Sequence, residues 1–199
     1  MNVLSEVLRR TASDLDRRRL HWALVGGFAV SARAEPRFTR DIDIAVAVAT
    51  DDDAEQLVRS LMSDGYRLLA SIEQDATGRL ATVRLIRTGT EDDEVVVDLL
   101  FASSGIEPEI AASAEVLEIL PGLSLPVATA GHLIALKILA RDDESRPQDL
   151  ADLRALRAEA GAGELEDARR ALITITERGY HRDRDLLAAF EKLTSSSAG

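Results

Sequence analysis

The chain has 199 residues and a mass of 21.6 kDa, which is room for one ordinary domain or for a compact domain with a helical extension. Its 35 acidic and 24 basic residues give a net charge of -11, which argues against binding nucleic acid through a generally basic surface. The chain contains no cysteine, which excludes disulfides, thiolate zinc sites and cysteine nucleophiles, and its three scattered histidines make oxygen the expected ligand of any metal.

The N-terminal residues show neither a secretory signal nor an apolar stretch long enough to span a membrane, so we expect a cytoplasmic protein with no membrane partner.

The first part of the chain alternates helical and strand patterns. Apolar spacings of three and four predict amphipathic helices, and runs of β-branched residues predict strands. The predicted helices cover residues 3–20, 28–34 and 51–63, and the predicted strands cover residues 21–25 and 42–48.

The pattern changes from strands to helices after Pro121 and Pro126. Before these prolines, three β-rich runs predict an antiparallel or mixed continuation of the sheet, over residues 66–72, 80–86 and 94–101. After them, helical spacing predicts helices over residues 129–140, 147–160, 164–177 and 183–193. We therefore predict an α+β fold, with a mixed β-sheet flanked by helices in residues 1–126 and a C-terminal helical bundle in residues 127–199.

Two aspartates at the start of a buried strand are candidate metal ligands. Asp41 and Asp43 are two residues apart, so both carboxylates project to the same face of the strand. Like charges this close repel each other unless a cation lies between them. Magnesium suits such a pair, because carboxylates hold it while substrate phosphates and water fill its remaining positions. The alternative is that the two aspartates only cap or form a turn.

A glycine pair and a third carboxylate extend this candidate site. Gly26-Gly27 lies at a strand-to-helix turn, where the missing Cβ atoms let backbone amides approach a triphosphate, unless the pair is only a turn. Asp98 lies inside an apolar strand, where a lone charge is costly unless it is paired or binds a metal. Three carboxylates with one or two magnesium ions would suit in-line attack on a nucleotide α-phosphate, because the metals neutralise charge and lower the pKa of the attacking hydroxyl.

Lysine usage singles out one further residue. Only Lys137 and Lys192 of the 24 basic residues are lysines, so 22 are arginines. Lys137 lies in an apolar helix, where its compact ammonium could reach a phosphate, and the alternative is a surface lysine that snorkels to solvent. Asp149 and Asp152 follow on the first turns of a helix, and Asp149 could equally be an acid that stabilises the helix start.

The string Arg37-x-Thr39-x-Asp41-Ile42-Asp43, with the upstream glycine pair and Asp98 on a later strand, resembles the nucleotidyltransferase superfamily related to DNA polymerase β. The downstream lysine followed by aspartates is similar to the AbiEii/AbiGii-type nucleotidyltransferase toxins, and the likeness covers roughly residues 20–156. It implies a nucleotidyltransferase fold and transfer of a nucleoside monophosphate from a nucleoside triphosphate, with Mg²⁺ or Mn²⁺. Members of the superfamily usually carry Gly-Ser at the turn. In this chain Gly27 takes the place of the serine, so the hydroxyl that would contact phosphate is missing.

The resemblance also implies a role for each site residue. The implied metal ligands are Asp41, Asp43 and Asp98. The implied nucleotide-binding residues are Gly26, Gly27, Arg37, Thr39 and Lys137. Lys137 and Asp149 join the three metal-binding aspartates as implied catalytic residues.

Toxin-type activity implies a macromolecular acceptor and a cognate antitoxin. We expect the acceptor to be RNA, at a tRNA 3′ end, or a protein. A local basic surface for RNA is predicted from arginines of the leading helix and the site loop, namely Arg9, Arg10, Arg17, Arg18, Arg19, Arg33, Arg37 and Arg40. Two alternatives stay open: a small cationic acceptor such as an aminoglycoside, which the acidic charge favours, and a catalytically silent module that binds a nucleoside triphosphate.

Two other catalytic motifs are incomplete. His181-Arg182-Asp183 resembles the start of a kinase catalytic loop, but no asparagine follows at the required spacing. No Gly-x-Ser-x-Gly elbow is present, so a serine hydrolase is unsupported. We therefore expect the three histidines to be structural or exposed.

Overall fold

The computed structural model describes residues 3–88, 93–141 and 147–195. Its helices are α1 (Val3–Arg17), α2 (Gly26–Arg33), α3 (Asp51–Ser63), α4 (Glu107–Ala112), α5 (Ala130–Ala140), α6 (Pro147–Glu159), α7 (Ala162–Glu177) and α8 (Leu186–Ser195). Its strands are β1 (Trp22–Val25), β2 (Ile42–Val46), β3 (Arg67–Glu73), β4 (Leu80–Thr88), β5 (Glu94–Leu100), β6 (Glu115–Leu120) and β7 (Leu123–Val127).

The strands form one mixed sheet in the order β3-β4-β5-β2-β1-β7-β6. Strand β2 runs antiparallel to β1 and parallel to β5, and β1 runs parallel to β7. All four residues of β1 are buried, because this strand lies in the interior of the sheet and is covered on both faces. The α+β class with a mixed sheet and flanking helices is confirmed.

Local sequence explains how the helices beside the sheet begin and what they bury. Helix α1 buries Val7, Leu8 and Leu15, which share one helical face. Helix α3 begins with a capping box, in which the Thr50 hydroxyl accepts from the Asp53 amide and the Asp53 carboxylate accepts from the Thr50 amide. The buried face packs α1 against the core, and the capping box stabilises the start of α3.

One hairpin and one short helix were not predicted. The two prolines marked the expected end of the sheet, but Pro121 and Gly122 form the turn between β6 and β7, and Pro126 lies inside β7. Gly122 supplies the positive φ of +69° that this turn requires. The helices after residue 126 agree with the prediction to within a few residues, whereas the division into two regions at that point stays a prediction.

Among the described residues, no helix combines the length and apolarity needed to cross a membrane.

Candidate active site

A cleft of about 950 Å³ lies where β1 ends and β2 begins. Its walls come from the β1–α2 turn, β2, β4, β5, α5 and the segment between α7 and α8. Eight of the residues that the sequence singled out line this cleft: Gly26, Gly27, Arg37, Asp41, Asp43, Asp98, Lys137 and Asp149. Folding therefore brings together residues that are up to 123 positions apart, counted from Gly26 to Asp149.

The three predicted carboxylates line the same cleft, on or beside the neighbouring central strands β2 and β5. Asp43 of β2 and Asp98 of β5 are in register on neighbouring parallel strands, and Asp41 precedes β2 by one residue. Burial, followed by the negative charges of Asp98 and Asp41, raises the pKa of Asp43 to about 6, against the opposing effects of Lys137 and the Gly27 amide. The carboxylates thus make this part of the cleft anionic, and a bound cation would stabilise the charged form of Asp43.

Asp98 is already engaged by an arginine that the sequence analysis did not select. Arg84 of β4 lies opposite Asp98 of β5, and its Nε and Nη2 atoms donate to the two Asp98 oxygens at 2.8 and 2.6 Å. These hydrogen bonds raise the pKa of the Arg84 guanidinium. A charged residue inside the apolar run of β4 was the available signal, and it is the same signal that selected Asp98.

The cleft offers the type of ligand atom that a hard divalent cation prefers, because Asp41 and Asp43 present carboxylate oxygens to it. In this conformation, no three carboxylate or imidazole side chains within residues 3–88, 93–141 and 147–195 are grouped to hold one ion. The bidentate contact with Arg84 accounts for both Asp98 oxygens. The assignment of Asp41, Asp43 and Asp98 as metal ligands stays a prediction.

Close packing explains both glycines of the turn. Gly26 has a φ of +61°, and a Cβ atom there would lie 1.9 Å from Asp43 Oδ2. A Cβ atom on Gly27 would lie 2.5 Å from Thr39 Oγ1 and 2.9 Å from Arg37 Nη2. The Thr39 hydroxyl thus occupies the space beside the turn, which explains why Gly27 carries no side chain where Gly-Ser is usual.

Lys137 lies between two buried carboxylates. Its Nζ atom is 2.6 Å from Asp149 Oδ1 and 2.7 Å from Asp152 Oδ2. Only 14% of the Lys137 side chain is exposed, so it is not a surface lysine that snorkels to solvent. Asp149 is likewise more than an acid at a helix start, because it pairs with this ammonium.

Asp152 connects Lys137 to the loop before β2. The Nε atom of Arg37 forms an ion pair with Asp152 Oδ1 at 2.9 Å, although it is not aligned as a hydrogen bond. Of the two aspartates on α6, Asp149 lines the cleft, whereas Asp152 is 2% exposed and holds Arg37 and Lys137 together. The sequence could not distinguish these two roles, because both aspartates lie on the same helical face.

The cleft also contains a segment that the motif analysis set aside. His181, Arg182 and Asp183 line it, and the last two residues adopt positive φ values of 54°. Non-glycine residues rarely adopt this conformation, so the surrounding structure must stabilise it. His181 therefore lies half-buried on the cleft wall, and no kinase-type loop is implied.

The arginines of α1 do not contribute to the cleft, because no residue of α1 lines it. Arg9 donates to the backbone oxygens of Pro121 and Gly122, and Arg18 donates to Ser60 and Asp64. Arg9 and Arg18 thus have partners outside the cleft, whereas the basic surface for RNA, which also includes Arg33, Arg37 and Arg40, stays a prediction.

The mixed sheet, the Asp-x-Asp pair with Asp98 in register and the glycine turn agree with the resemblance to nucleotidyltransferases that the sequence shows. The solution structure of the antibiotic-resistance factor ANT(2'')-Ia is similar, with 18% identity, a TM-score of 0.57, and coverage of 98% of this chain and 100% of that one. The chain belongs to the family described as nucleotidyl transferase AbiEii toxin, type IV toxin–antitoxin system, whose family model matches residues 7–196.

Two further structures share the fold. An antigenic nucleotidyltransferase-like protein from Paracoccidioides brasiliensis has 20% identity and a TM-score of 0.54, with coverage of 95% of this chain and 92% of that one. The lincomycin-bound lincosamide antibiotic adenylyltransferase LnuA has 12% identity and a TM-score of 0.50, with coverage of 80% and 100%. A search of curated protein sequences found no match. The chain is therefore a nucleotidyltransferase, and its family implies a nucleoside triphosphate substrate and an antitoxin partner.

Proposed function

We propose that this enzyme transfers a nucleoside monophosphate from a nucleoside triphosphate to RNA, at a tRNA 3′ end, as the toxin of its toxin–antitoxin pair. The observation that carries the proposal is the convergence of the glycine turn, three aspartates and Lys137 on one cleft of about 950 Å³. Such a volume is at the upper end of small-molecule sites, which leaves room for a triphosphate and for the end of an acceptor.

Each group in the cleft has a chemical role in this proposal. Magnesium or manganese held by Asp41 and Asp43 would neutralise phosphate charge and lower the pKa of the acceptor hydroxyl. Gly26 and Gly27 line the cleft at the start of α2, where backbone amides would bind the triphosphate. Lys137 of α5 supplies a positive charge to the cleft, and its two carboxylate partners keep the ammonium in place.

An exposed aromatic residue supports RNA as the acceptor. Phe38 is 77% exposed and lies between Arg37 and Thr39, in the loop that leads to Asp41. The Arg40 guanidinium lies 5.6 Å from the centre of its ring. An exposed ring beside a cation is a typical platform for an unpaired base, and stacking of this kind contributes about 1–3 kcal/mol per base.

The test is to incubate the purified chain with each α-labelled nucleoside triphosphate, Mg²⁺ and total cellular RNA. We expect label in a tRNA-sized band with the wild type and none with an Asp41→Ala, Asp43→Ala double variant. Phe38→Ala should raise the KM for RNA, whereas Phe38→Tyr should retain stacking and keep the KM close to that of the wild type. Label in protein but not in RNA would overturn the RNA acceptor, and label in no product would overturn nucleotidyl transfer to any macromolecule.

A small cationic acceptor is the second candidate, and the acidic cleft supports it. Glu73, Asp75 and Asp183 line the cleft and add negative charge around the three aspartates of the site. Acidic surfaces attract polycations such as aminoglycosides. The same labelled triphosphates, incubated with aminoglycosides and lincosamides, separate the two candidates, because a labelled drug with unlabelled RNA would replace the first with the second.

A further inference from the structure

Arg84 and Asp98 form a bidentate contact in the cleft to which the proposed function gives no role. Asp98 is buried, with 8% of its side chain exposed, whereas Arg84 lines the cleft and 43% of its side chain is exposed. The two hydrogen bonds are parallel and engage both carboxylate oxygens. Bidentate pairs of this type are among the strongest charge-assisted contacts in proteins.

The Arg84 guanidinium supplies a positive charge beside the three carboxylates. The negative charges of Asp41 and Asp43, besides that of Asp98, contribute to raising its pKa, so the guanidinium lies within the field of all three carboxylates. By contrast, the ion pair between Arg67 and Glu94, also on the sheet, is exposed on both sides and lies outside the cleft.

Neither Arg84 nor Asp98 can give up this contact at low cost unless it gains another charged partner. If Arg84 moved away without a replacement, Asp98 would remain a buried and unpaired charge. If a cation approached Asp98 alone, it would be repelled by a guanidinium that already binds both oxygens. An exchange becomes favourable when a cation and a group of phosphates arrive together, because Asp98 then keeps a positive partner and the guanidinium gains an anionic one.

We propose that Arg84 is a positioning residue that holds Asp98 until a triphosphate binds, and that its guanidinium then moves to the phosphates and leaves Asp98 to the metal. The inference rests on the proposed function, since it assumes that the carboxylates bind metal and that the cleft binds triphosphate. It accounts for the absence of a grouped metal site among the described residues of this conformation.

The test uses two ligands that report without turnover. Mn²⁺ binding is measured by the loss of the free-ion electron paramagnetic resonance signal, and inorganic tripolyphosphate binding is measured by calorimetry in EDTA. We expect Arg84→Gln to bind Mn²⁺ about 5- to 150-fold more tightly than the wild type, the range of typical couplings between sites. The same variant should bind tripolyphosphate about 10-fold or more weakly, because charged hydrogen bonds are lost.

The opposite signs of the two changes distinguish this role from a structural one, which would weaken both ligands. Arg67→Gln is the matched control and should change neither. Adding Asp98→Asn to Arg84→Gln should abolish the gain in Mn²⁺ affinity. If Arg84→Gln does not fold, Arg84→Lys replaces it, and this variant must show a smaller gain of the same sign.

The inference is overturned if Arg84→Gln binds Mn²⁺ no more tightly than the wild type, or if the gain persists without the Asp98 carboxylate. Neither result would affect transfer of label to RNA by the wild type, which tests the proposed function separately. Conversely, a wild type that binds Mn²⁺ and tripolyphosphate as described but labels no acceptor would overturn the proposed acceptor and leave the exchange at Arg84 intact.

Discussion

Replacement of Asp43 by asparagine should make the protein more stable while it removes activity. Burial and the neighbouring carboxylates give Asp43 a pKa of about 6 in the folded chain, compared with 3.8 as its ordinary value. The folded state therefore holds this proton more tightly than the unfolded state does, and stability falls as the pH rises from about 4 to about 7. Asparagine has the same shape and no charge to desolvate.

The magnitude follows from the two pKa values. Their difference corresponds to about 3 kcal/mol of lost stability above the folded-state pKa. Asp43 is only half-buried and faces an open cleft, so water screens part of this effect, and we expect about 1–3 kcal/mol at pH 8. The part that develops between about pH 5 and pH 8 is up to about 1.4 kcal/mol.

The assay is urea unfolding in EDTA, followed at several pH values for the wild type and Asp43→Asn. The variant should be more stable at every pH in this range, and its advantage should grow as the pH rises. Glu166→Gln removes one exposed carboxylate from α7 and should show no such trend. Millimolar Mg²⁺ should stabilise the wild type but not Asp43→Asn. A variant that is less stable than the wild type at pH 8, or an advantage that shrinks with pH, would refute this reasoning.

Two other substitutions test the packing around the site. Gly26→Ala should reduce transfer about 100-fold or more, because its Cβ would displace the Asp43 carboxylate, whereas Gly122→Ala carries a similar φ strain with nothing within 4 Å and should leave transfer unchanged. Equal activity of the two variants would contradict the close approach at Gly26. Lys137→Met should lower the free energy of unfolding by about 3–5 kcal/mol in urea, because Asp149 and Asp152 lose the ammonium between them. The exposed Lys192→Met is its control, and equal losses would contradict the buried pairing.

The strongest local patterns predicted most of the elements and part of the site. Apolar spacing was sufficient for α1, α3 and α7, because each helix buries one regular face. The hairpin of β6 and β7 was missed because proline and glycine signal a break in structure, and only the neighbouring strand shows whether the chain returns to the sheet.

Within the site, sequence by itself determined which residues carry unusual chemistry: the Asp-x-Asp pair, the glycine turn, the charge inside β5 and the rare lysine of α5. Tertiary structure alone decided which of these residues meet. Strand register placed Arg84 opposite Asp98, and the packing of α5 against α6 placed Lys137 between its two aspartates. The fit of Thr39 beside Gly27 arises in the same way, from a loop that returns to the turn. Such contacts depend on pairings between distant segments, and no local spacing encodes the register or the helix packing that produces them.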